Sequence, residues 1–168
     1  MEKRKFDKLG IETSLLGFGC MRFPTTAEGK IDWEASEKML DKAYELGVNY
    51  YDTAYPYHNG ESEVFVGSVM KKYDRSSFYF ATKLPLWSVE KLEDVDRIFN
   101  EQLSKLQTEY IDFYLMHSVN KDKWDKMVSL GVVKRLEELK EEGKIRYLGF
   151  SFHDDYEVFE EVLRYRDW

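Results

Sequence analysis

The chain has 168 residues, of which 43% are hydrophobic and 16% aromatic, enough for one domain with a sizeable core. Its 25 Lys and Arg against 32 Asp and Glu give a net charge of −7, which argues against nucleic acid or an anionic membrane as the main partner. No window approaches the ~20 apolar residues of a membrane span. The single cysteine, Cys20, excludes an internal disulfide and an all-cysteine metal or iron–sulfur site within this chain, so we expect a reducing cytoplasm.

Strand and helix patterns alternate along the sequence. The first residues are typical of a hairpin over 4–11 that turns at Leu9 and Gly10. Strands are predicted over residues 14–19, 48–52, 78–83, 111–116 and 145–150. Helices are predicted over residues 33–46, 61–70, 88–106, 132–142 and 154–165. Asp32 and Gly47 are the expected caps of the first helix. Strands separated by single helices predict right-handed crossovers and a parallel sheet.

Two parallel architectures compete, a doubly wound open sheet and a (β/α)8 barrel. A dinucleotide-binding open sheet would carry a G-x-G-x-x-G turn after its first strand, and residues 17–22, GFGCMR, lack the third glycine. We therefore predict an α/β fold of the TIM barrel type. A complete barrel takes ~250 residues. Residues 1–168 are thus expected to form a single, incomplete barrel domain of about five βα units with an N-terminal β-hairpin, truncated before the sixth strand.

Four polar side chains follow the predicted strands, where barrel enzymes place their chemistry. Asp52 closes the second strand, Tyr57 lies on the Pro/Asn/Gly-rich loop after it, Lys83 closes the third strand and His117 the fourth. Each has an ordinary structural alternative, since Asp52 could bond loop amides and Tyr57 or His117 could be a packed core residue. An ammonium at the buried position of Lys83 needs an anion such as Asp52.

Together the four side chains indicate proton transfer to a carbonyl group. A free phenol has a pKa of ~10, too high for an efficient acid at neutral pH. Lys83 would stabilise the phenolate of Tyr57, Asp52 would orient Lys83, and His117 would donate to the substrate oxygen as charge develops there. No nucleophile lies beside a base in this sequence, so the electron pair is expected as hydride from a nicotinamide.

The stretches that carry this chemistry resemble the aldo-keto reductases over nearly the whole chain. The similar stretches are residues 16–22, 47–62, 81–85, 110–117 and 143–151. The resemblance implies a catalytic tetrad of Asp52, Tyr57, Lys83 and His117, and reduction of small aldehydes or ketones with NADPH, or sometimes NADH. Residues 149–154 look most like a bacterial or archaeal branch that often carries a ferredoxin-like (4Fe-4S) tail, although this chain encodes no iron–sulfur cluster.

The resemblance also implies contacts with cofactor and substrate. The expected cofactor-binding residues are Gly19, Cys20, Met21, Asp52 and Ser151, although Cys20 is more typical of a packed residue than of a reactive thiol. Many members have Ser-Asn after the fifth strand, whereas here Phe152 follows Ser151. The expected substrate-binding residues are Tyr55, Trp87 and His117.

Other interpretations remain open at this point. In relatives the sixth to eighth strands hold much of the cofactor, so one interpretation is an inactive fragment that lacks a C-terminal half and binds the cofactor poorly. Open strand edges and exposed apolar helix faces would instead favour a non-catalytic half-barrel that self-associates or pairs with another chain. A metal-dependent barrel hydrolase would use Asp52, His117 and His153 as ligands.

Overall fold

The computed structural model describes residues 1–168, and its elements follow the predicted alternation. The strands are β1 (Lys3–Phe6), β2 (Ile11–Ser14), β3 (Phe18–Gly19), β4 (Tyr50–Asp52), β5 (Tyr79–Pro85), β6 (Ile111–Val119) and β7 (Ile145–Phe152). The helices are α1 (Trp33–Glu45), α2 (Ser62–Met70), α3 (Glu93–Leu106), α4 (Lys121–Ser129), α5 (Val132–Glu141) and α6 (Tyr156–Arg164). Short 3-10 turns cover Tyr57–Gly60, Arg75–Ser77 and Leu86–Ser88.

Two sheets form. Strands β1 and β2 pair as the predicted antiparallel hairpin, and the remaining strands form one sheet in the order β3-β4-β5-β6-β7. The pairs β3–β4, β4–β5 and β6–β7 are parallel, which confirms the predicted α/β fold with a parallel sheet. None of the helices is long and apolar enough to cross a membrane.

Several boundaries differ from the prediction. The strand expected over 14–19 is reduced to Phe18–Gly19, because Ser14 pairs with Lys3 in the hairpin. Strands β5 and β6 continue past Lys83 and His117, so neither residue ends its strand. Helix α4 was not predicted. Its Trp124 and Met127 are its only buried residues, too few for a clear apolar period, and the Asn120 side chain caps it by accepting from the Lys123 N–H at 3.0 Å.

The chain divides into two compact units, of which the first contains Met1–Ala81 and Lys105–Gln107. Its core contains large, fully buried side chains from α1, β4, α2 and β5, namely Leu40, Tyr51, Phe65, Met70 and Phe80. Asp32 caps α1 as predicted, since its carboxylate accepts from the Ala35 N–H at 3.1 Å. Gly47 follows α1 with a φ of +86°, a left-handed conformation that glycine adopts without steric cost.

Gly67 lets α2 approach the end of α3 very closely. A Cβ built on Gly67 would meet the Lys105 carbonyl oxygen and would lie 2.6 Å from Leu106 backbone atoms. Backbone atoms cannot rotate away as a side chain can, so only glycine fits at this point of helix contact.

The second unit contains Thr82–Ser104 and Thr108–Trp168. Its core is formed by buried residues of α3, β6, α4 and α5, among them Ile98, Phe99, Tyr114, Met116, Trp124 and Leu136. Asp112, fully buried on β6, is paired with Arg146 of β7, whose Nη1 lies 2.9 Å from the Asp112 carboxylate. The pair joins these two strands at their N-terminal ends.

A β-bulge interrupts β6 near its C-terminal end. Met116 pairs with Phe150 and Val119 with Phe152, so β6 uses one residue more than β7 between these two pairs. The bulged segment consists of His117 and Ser118. Ser118 has a φ of +57°, which is uncommon for a residue other than glycine. Bulges of this kind redirect side chains, and they are frequent beside active sites.

Candidate active site

In the first unit, the loop that carries Tyr57 begins at Asp52 and is anchored by buried hydroxyl groups. Asp52 pairs in register with Gly19 on one side and with Ala81 on the other. The Ser62 hydroxyl donates to the Cys20 carbonyl at 3.0 Å, so the Thr53 hydroxyl is the donor in its 2.9 Å hydrogen bond with Ser62. Both hydroxyl-bearing residues are fully buried, which fixes the two ends of the loop against β3.

Tyr57 itself opens a tight, irregular turn. Its N–H donates to the Ala54 carbonyl at 3.1 Å. His58 and Asn59 then have φ values of 51° and 55°, an uncommon conformation that is held because the His58 Nε2 accepts from the Phe23 N–H at 3.1 Å. His58 therefore maintains the shape of the loop, and the Tyr57 side chain is half-buried on it.

The other predicted residues of the first unit differ in accessibility. Gly19 is exposed, and a Cβ added to it would meet no atom within 4 Å. Met21 is 49% exposed, whereas Cys20 is fully buried and its N–H donates to the Asp52 carbonyl at 2.8 Å. The Tyr55 ring is half-buried, with the Lys105 ammonium 4.0 Å from its centroid. Cys20 thus supports the strand pairing near Asp52, and its thiol is shielded from solvent.

In the second unit, Lys83 is buried on β5 with only 5% of its surface exposed. The backbone at Lys83 is held by Gln102 of α3, whose amide Nε2 donates to the Lys83 carbonyl at 3.0 Å and to the Thr82 hydroxyl at 3.2 Å. The Tyr114 hydroxyl of β6 donates in turn to the Gln102 Oε1 at 2.7 Å. All four residues are buried, so this network links β5, α3 and β6 around the segment that carries Lys83.

Gln102 is a site-supporting residue that the sequence reasoning missed. A signal for it exists in the helical pattern. The buried residues of α3 recur at helical spacing as Val95, Ile98, Phe99, Gln102 and Leu106. A glutamine within an apolar helix face requires a buried hydrogen-bond partner, which is the role that Gln102 has here.

His117 lies in the bulge of β6, and the Trp87 ring lies against it with 5.1 Å between ring centroids. Burial is the largest cause that lowers the pKa of His117, and the positive charges of Lys83 and Lys123 and the neighbouring His153 act in the same direction, so that the pKa is about 4. The imidazole is therefore neutral at pH 7. A neutral imidazole can donate one N–H hydrogen bond to a substrate oxygen without carrying a charge.

Ser151 of β7 lies next to this bulge. Its hydroxyl oxygen accepts from the Ser118 N–H at 2.7 Å, and its own hydrogen has no acceptor in the protein. The side chain is half-buried, so this donor is accessible to a bound molecule. His153 is exposed, and its N–H donates to the Val119 carbonyl at 2.9 Å, continuing the contact between the ends of β6 and β7.

The structure does not support the metal-dependent alternative. No group of three or more His, Cys, Asp or Glu side chains is placed to hold a metal ion.

Residues 15–167 match the model of the Aldo/keto reductase family, so the chain belongs to that family. It is 33% identical over 162 residues to the uncharacterized oxidoreductase YqkF of Bacillus subtilis, covering 90% of this chain and 49% of that protein. It aligns with the holo form of an aldo-keto reductase from Bacillus halodurans at a TM-score of 0.82 and 32% identity, over 99% of this chain and 55% of that one.

A further solved structure similar to this chain is an aldo-keto reductase from Klebsiella pneumoniae in complex with NADPH. The TM-score is 0.77 and the identity 25%, with 94% of this chain and 52% of that chain covered. These similarities confirm the predicted aldo-keto reductase barrel fold. The chain spans about half the length of the relatives it matches, consistent with the five βα units predicted from the sequence.

Proposed function

We propose that this chain functions in an NAD(P)H-dependent oxidoreductase, which reduces small aldehydes or ketones to alcohols. Tyr57 would be the general acid, assisted by Lys83, Asp52 and His117. The observation that carries the proposal is the family match over residues 15–167 together with the presence of all four residues at the motif positions. We also propose the cytoplasm as its location, since the only cysteine is buried and free.

The proposed reaction is balanced by one hydride and one proton. The hydride would come to the carbonyl carbon from a bound nicotinamide, which would be oxidised in return. The carbon–oxygen π bond breaks, and the oxygen takes the proton of the Tyr57 hydroxyl as the new O–H bond forms. Tyr57 is left as a phenolate that water must reprotonate before the next turnover.

The surroundings of Lys83 and His117 support these roles. A lysine with 5% exposure on a strand held by buried hydrogen bonds has little freedom, so its ammonium can stabilise a phenolate without large reorganisation. His117 is neutral because its pKa is lowered to about 4, which suits a hydrogen-bond donor to the substrate oxygen rather than a competing acid. Asp52 would provide the negative charge that balances Lys83.

The residues proposed to bind the cofactor differ in whether their side chains are accessible to a nicotinamide. The Ser151 hydroxyl has a hydrogen to donate to the carboxamide, and Gly19 and Met21 present accessible surface. Cys20 is fully buried, and its N–H and its carbonyl both form hydrogen bonds within the protein. We therefore propose that Cys20 holds Gly19 and Asp52 in place and does not itself contact the cofactor. The choice between NADPH and NADH stays open in this proposal.

The test is Tyr57→Phe, measured as carbonyl-dependent oxidation of NADPH by the 168-residue chain and, where it is part of a longer protein, by that protein. Loss of a positioned general acid should lower kcat by roughly 10²–10⁴-fold. Tyr156→Phe is the matched control, since Tyr156 is 68% exposed, and it should leave kcat unchanged. Full activity of Tyr57→Phe, or the absence of carbonyl reduction by both wild-type forms, would contradict the proposal.

A second candidate function, self-association of a non-catalytic half-barrel, is favoured by the sheet edges. Strands β3 and β7 end the sheet, and an edge strand presents unpaired backbone groups to other chains. In the first unit a mainly apolar groove of about 420 Å³ lies near β3, lined by Met1, Leu16, Phe18, Met39, Ala43, Leu46 and Val48 and by Lys38 and Lys42. We propose a second copy of the chain as the occupant, and sedimentation that shows only monomer at every concentration would refute this.

A further inference from the structure

Lys123 differs from the other lysines of α4 in having no acidic partner. Lys121 lies 2.9 Å from Asp125 and 2.8 Å from Glu161. Lys126 lies 2.9 Å from Glu90. The Lys123 ammonium instead donates to the Ser118 carbonyl at 2.8 Å and makes no ion pair. Because an ammonium has three N–H donors, two remain available to a ligand.

The position of Lys123 is beside the proposed catalytic histidine. Its Nζ lies 5.9 Å from the centroid of the Trp87 ring, and the same ring lies 5.1 Å from the His117 ring. The carbonyl that Lys123 binds belongs to Ser118, the next residue after His117. Lys123 is half-buried, whereas Trp87 is 47% exposed. One accessible indole surface is thus bordered by an imidazole donor and by an ammonium.

Two ammonium groups of the second unit act on His117. The positive charges of Lys83 and Lys123 both disfavour protonation of His117. The two carboxylate oxygens of Asp154 accept hydrogen bonds from the backbone N–H groups of Lys121 and Asp155. The Lys123 ammonium has no carboxylate partner, so it favours an anionic ligand.

We propose that Lys123 binds an anionic group of the substrate, so that the preferred substrate is an aldehyde or ketone carrying a carboxylate. The carbonyl oxygen would receive the His117 hydrogen bond, the intervening carbon chain would lie on the Trp87 ring, and the carboxylate would accept from Lys123. This inference deepens the proposed function and rests on it for the identity of the reacting group. It assigns to Lys123 a role in substrate selection.

The inference is tested first by binding, without turnover. The probes are 4-hydroxybutanoate, butan-1-ol and butyl phosphate, which share a four-carbon chain and differ in charge. Binding is followed by the indole N–H signal of Trp87 in nitrogen-labelled protein, assigned with Trp87→Phe. 4-Hydroxybutanoate should shift this signal, and the neutral alcohol should bind at least tenfold more weakly, since one charge-assisted hydrogen bond is worth about that factor.

Variants of α4 then assign the effect to one residue. Lys123→Met should raise the Kd for 4-hydroxybutanoate about tenfold, and Lys123→Arg should restore most of the affinity. Lys121→Met and Lys126→Met are matched controls that lower the net charge equally and should leave the Kd unchanged. Absence of binding, equal binding of the alcohol, or an equal effect of all three methionine variants would overturn the inference. Tighter binding of butyl phosphate would overturn the carboxylate as the preferred group.

A kinetic measurement connects this site to the reaction. The ratio of kcat/KM for 4-oxobutanoate to that for butanal should fall about tenfold in Lys123→Met, mainly through KM for the charged aldehyde. An unchanged ratio in an active enzyme would also overturn the inference. If neither aldehyde is reduced by any wild-type form, the proposed function fails, and the binding measurement still decides whether Lys123 holds an anion.

Discussion

Replacing Gln102 with leucine would test whether buried hydrogen bonds position the strand segment that carries Lys83. Leucine preserves most of the side-chain volume, so the change removes polar contacts without opening a large cavity. It abolishes the hydrogen bonds from Nε2 to the Thr82 hydroxyl and the Lys83 carbonyl, at 3.2 and 3.0 Å, and the one that Oε1 accepts from Tyr114 at 2.7 Å.

The expected cost follows from the hydrogen bonds that the substitution removes. Each hydrogen bond contributes about 0.5–1.5 kcal/mol net, so Gln102→Leu should lower the free energy of unfolding by roughly 2–4 kcal/mol. Tyr114→Phe removes only one of these bonds and should cost about 1 kcal/mol. Because both variants remove the same Tyr114–Gln102 bond, the double variant should cost less than the sum of the single variants.

The assay is urea denaturation followed by far-ultraviolet circular dichroism, with the m-value checked for constancy. Asn100→Leu is the control, since Asn100 is exposed on the same helix, and it should change stability by no more than about 0.5 kcal/mol. A Gln102→Leu variant as stable as Asn100→Leu, or full additivity with Tyr114→Phe, would refute the reasoning.

Three further variants have defined outcomes in stability measurements. Gly67→Ala should destabilise by about 2 kcal/mol, because the contact of its Cβ with Leu106 backbone atoms outweighs the ~1 kcal/mol helix preference for alanine, and a stabilised variant would contradict the close approach. The pKa of His117 is lowered to about 4, so its contribution to stability is complete above pH 6.5 and is lost as the pH falls toward 4. That contribution is about 1–2 kcal/mol after allowing for solvent screening, and His117→Phe should show a correspondingly smaller acid sensitivity in denaturation at pH 7 and pH 4.5. Asp32→Ala should cost about 1 kcal/mol by removing the cap of α1, and an unchanged melting temperature would argue against that cap.

Periodicity in the sequence was sufficient to predict most of the fold. The helical spacing in α1, α3 and α5 and the β-branched and aromatic runs of β4 to β7 identified these elements, and their alternation predicted the parallel sheet. Helix α4 was missed because it buries only Trp124 and Met127. Strand ends were less predictable, since β6 continues through the polar His117 and Ser118 by pairing with β7, a contact that local composition does not encode.

Residues of the candidate site could be predicted where they match a sequence motif. They could not be predicted where their role depends on contacts with another helix or strand. Asp52, Tyr57, Lys83 and His117 were predicted from the ends of the predicted strands, and their catalytic roles stay predictions. Gln102 and Lys123 were not found, because their roles depend on contacts between elements: Gln102 with the backbone of β5, and Lys123 with the carbonyl of Ser118. A polar residue within an apolar helix face was the available signal for Gln102.

The bulge in β6 makes this strand sensitive to changes in chain length. Two residues of β6 lie opposite Ser151, so removing one residue between Met116 and Val119 would remove the bulge, while Val119 would keep Phe152 as its partner and the side of the sheet on which it lies. His117 would then lose the position beside Trp87 that it has now. A single-residue deletion at this point should therefore change the placement of His117 while β6 stays paired with β7, and engineered chimaeras should exchange β6 and β7 together.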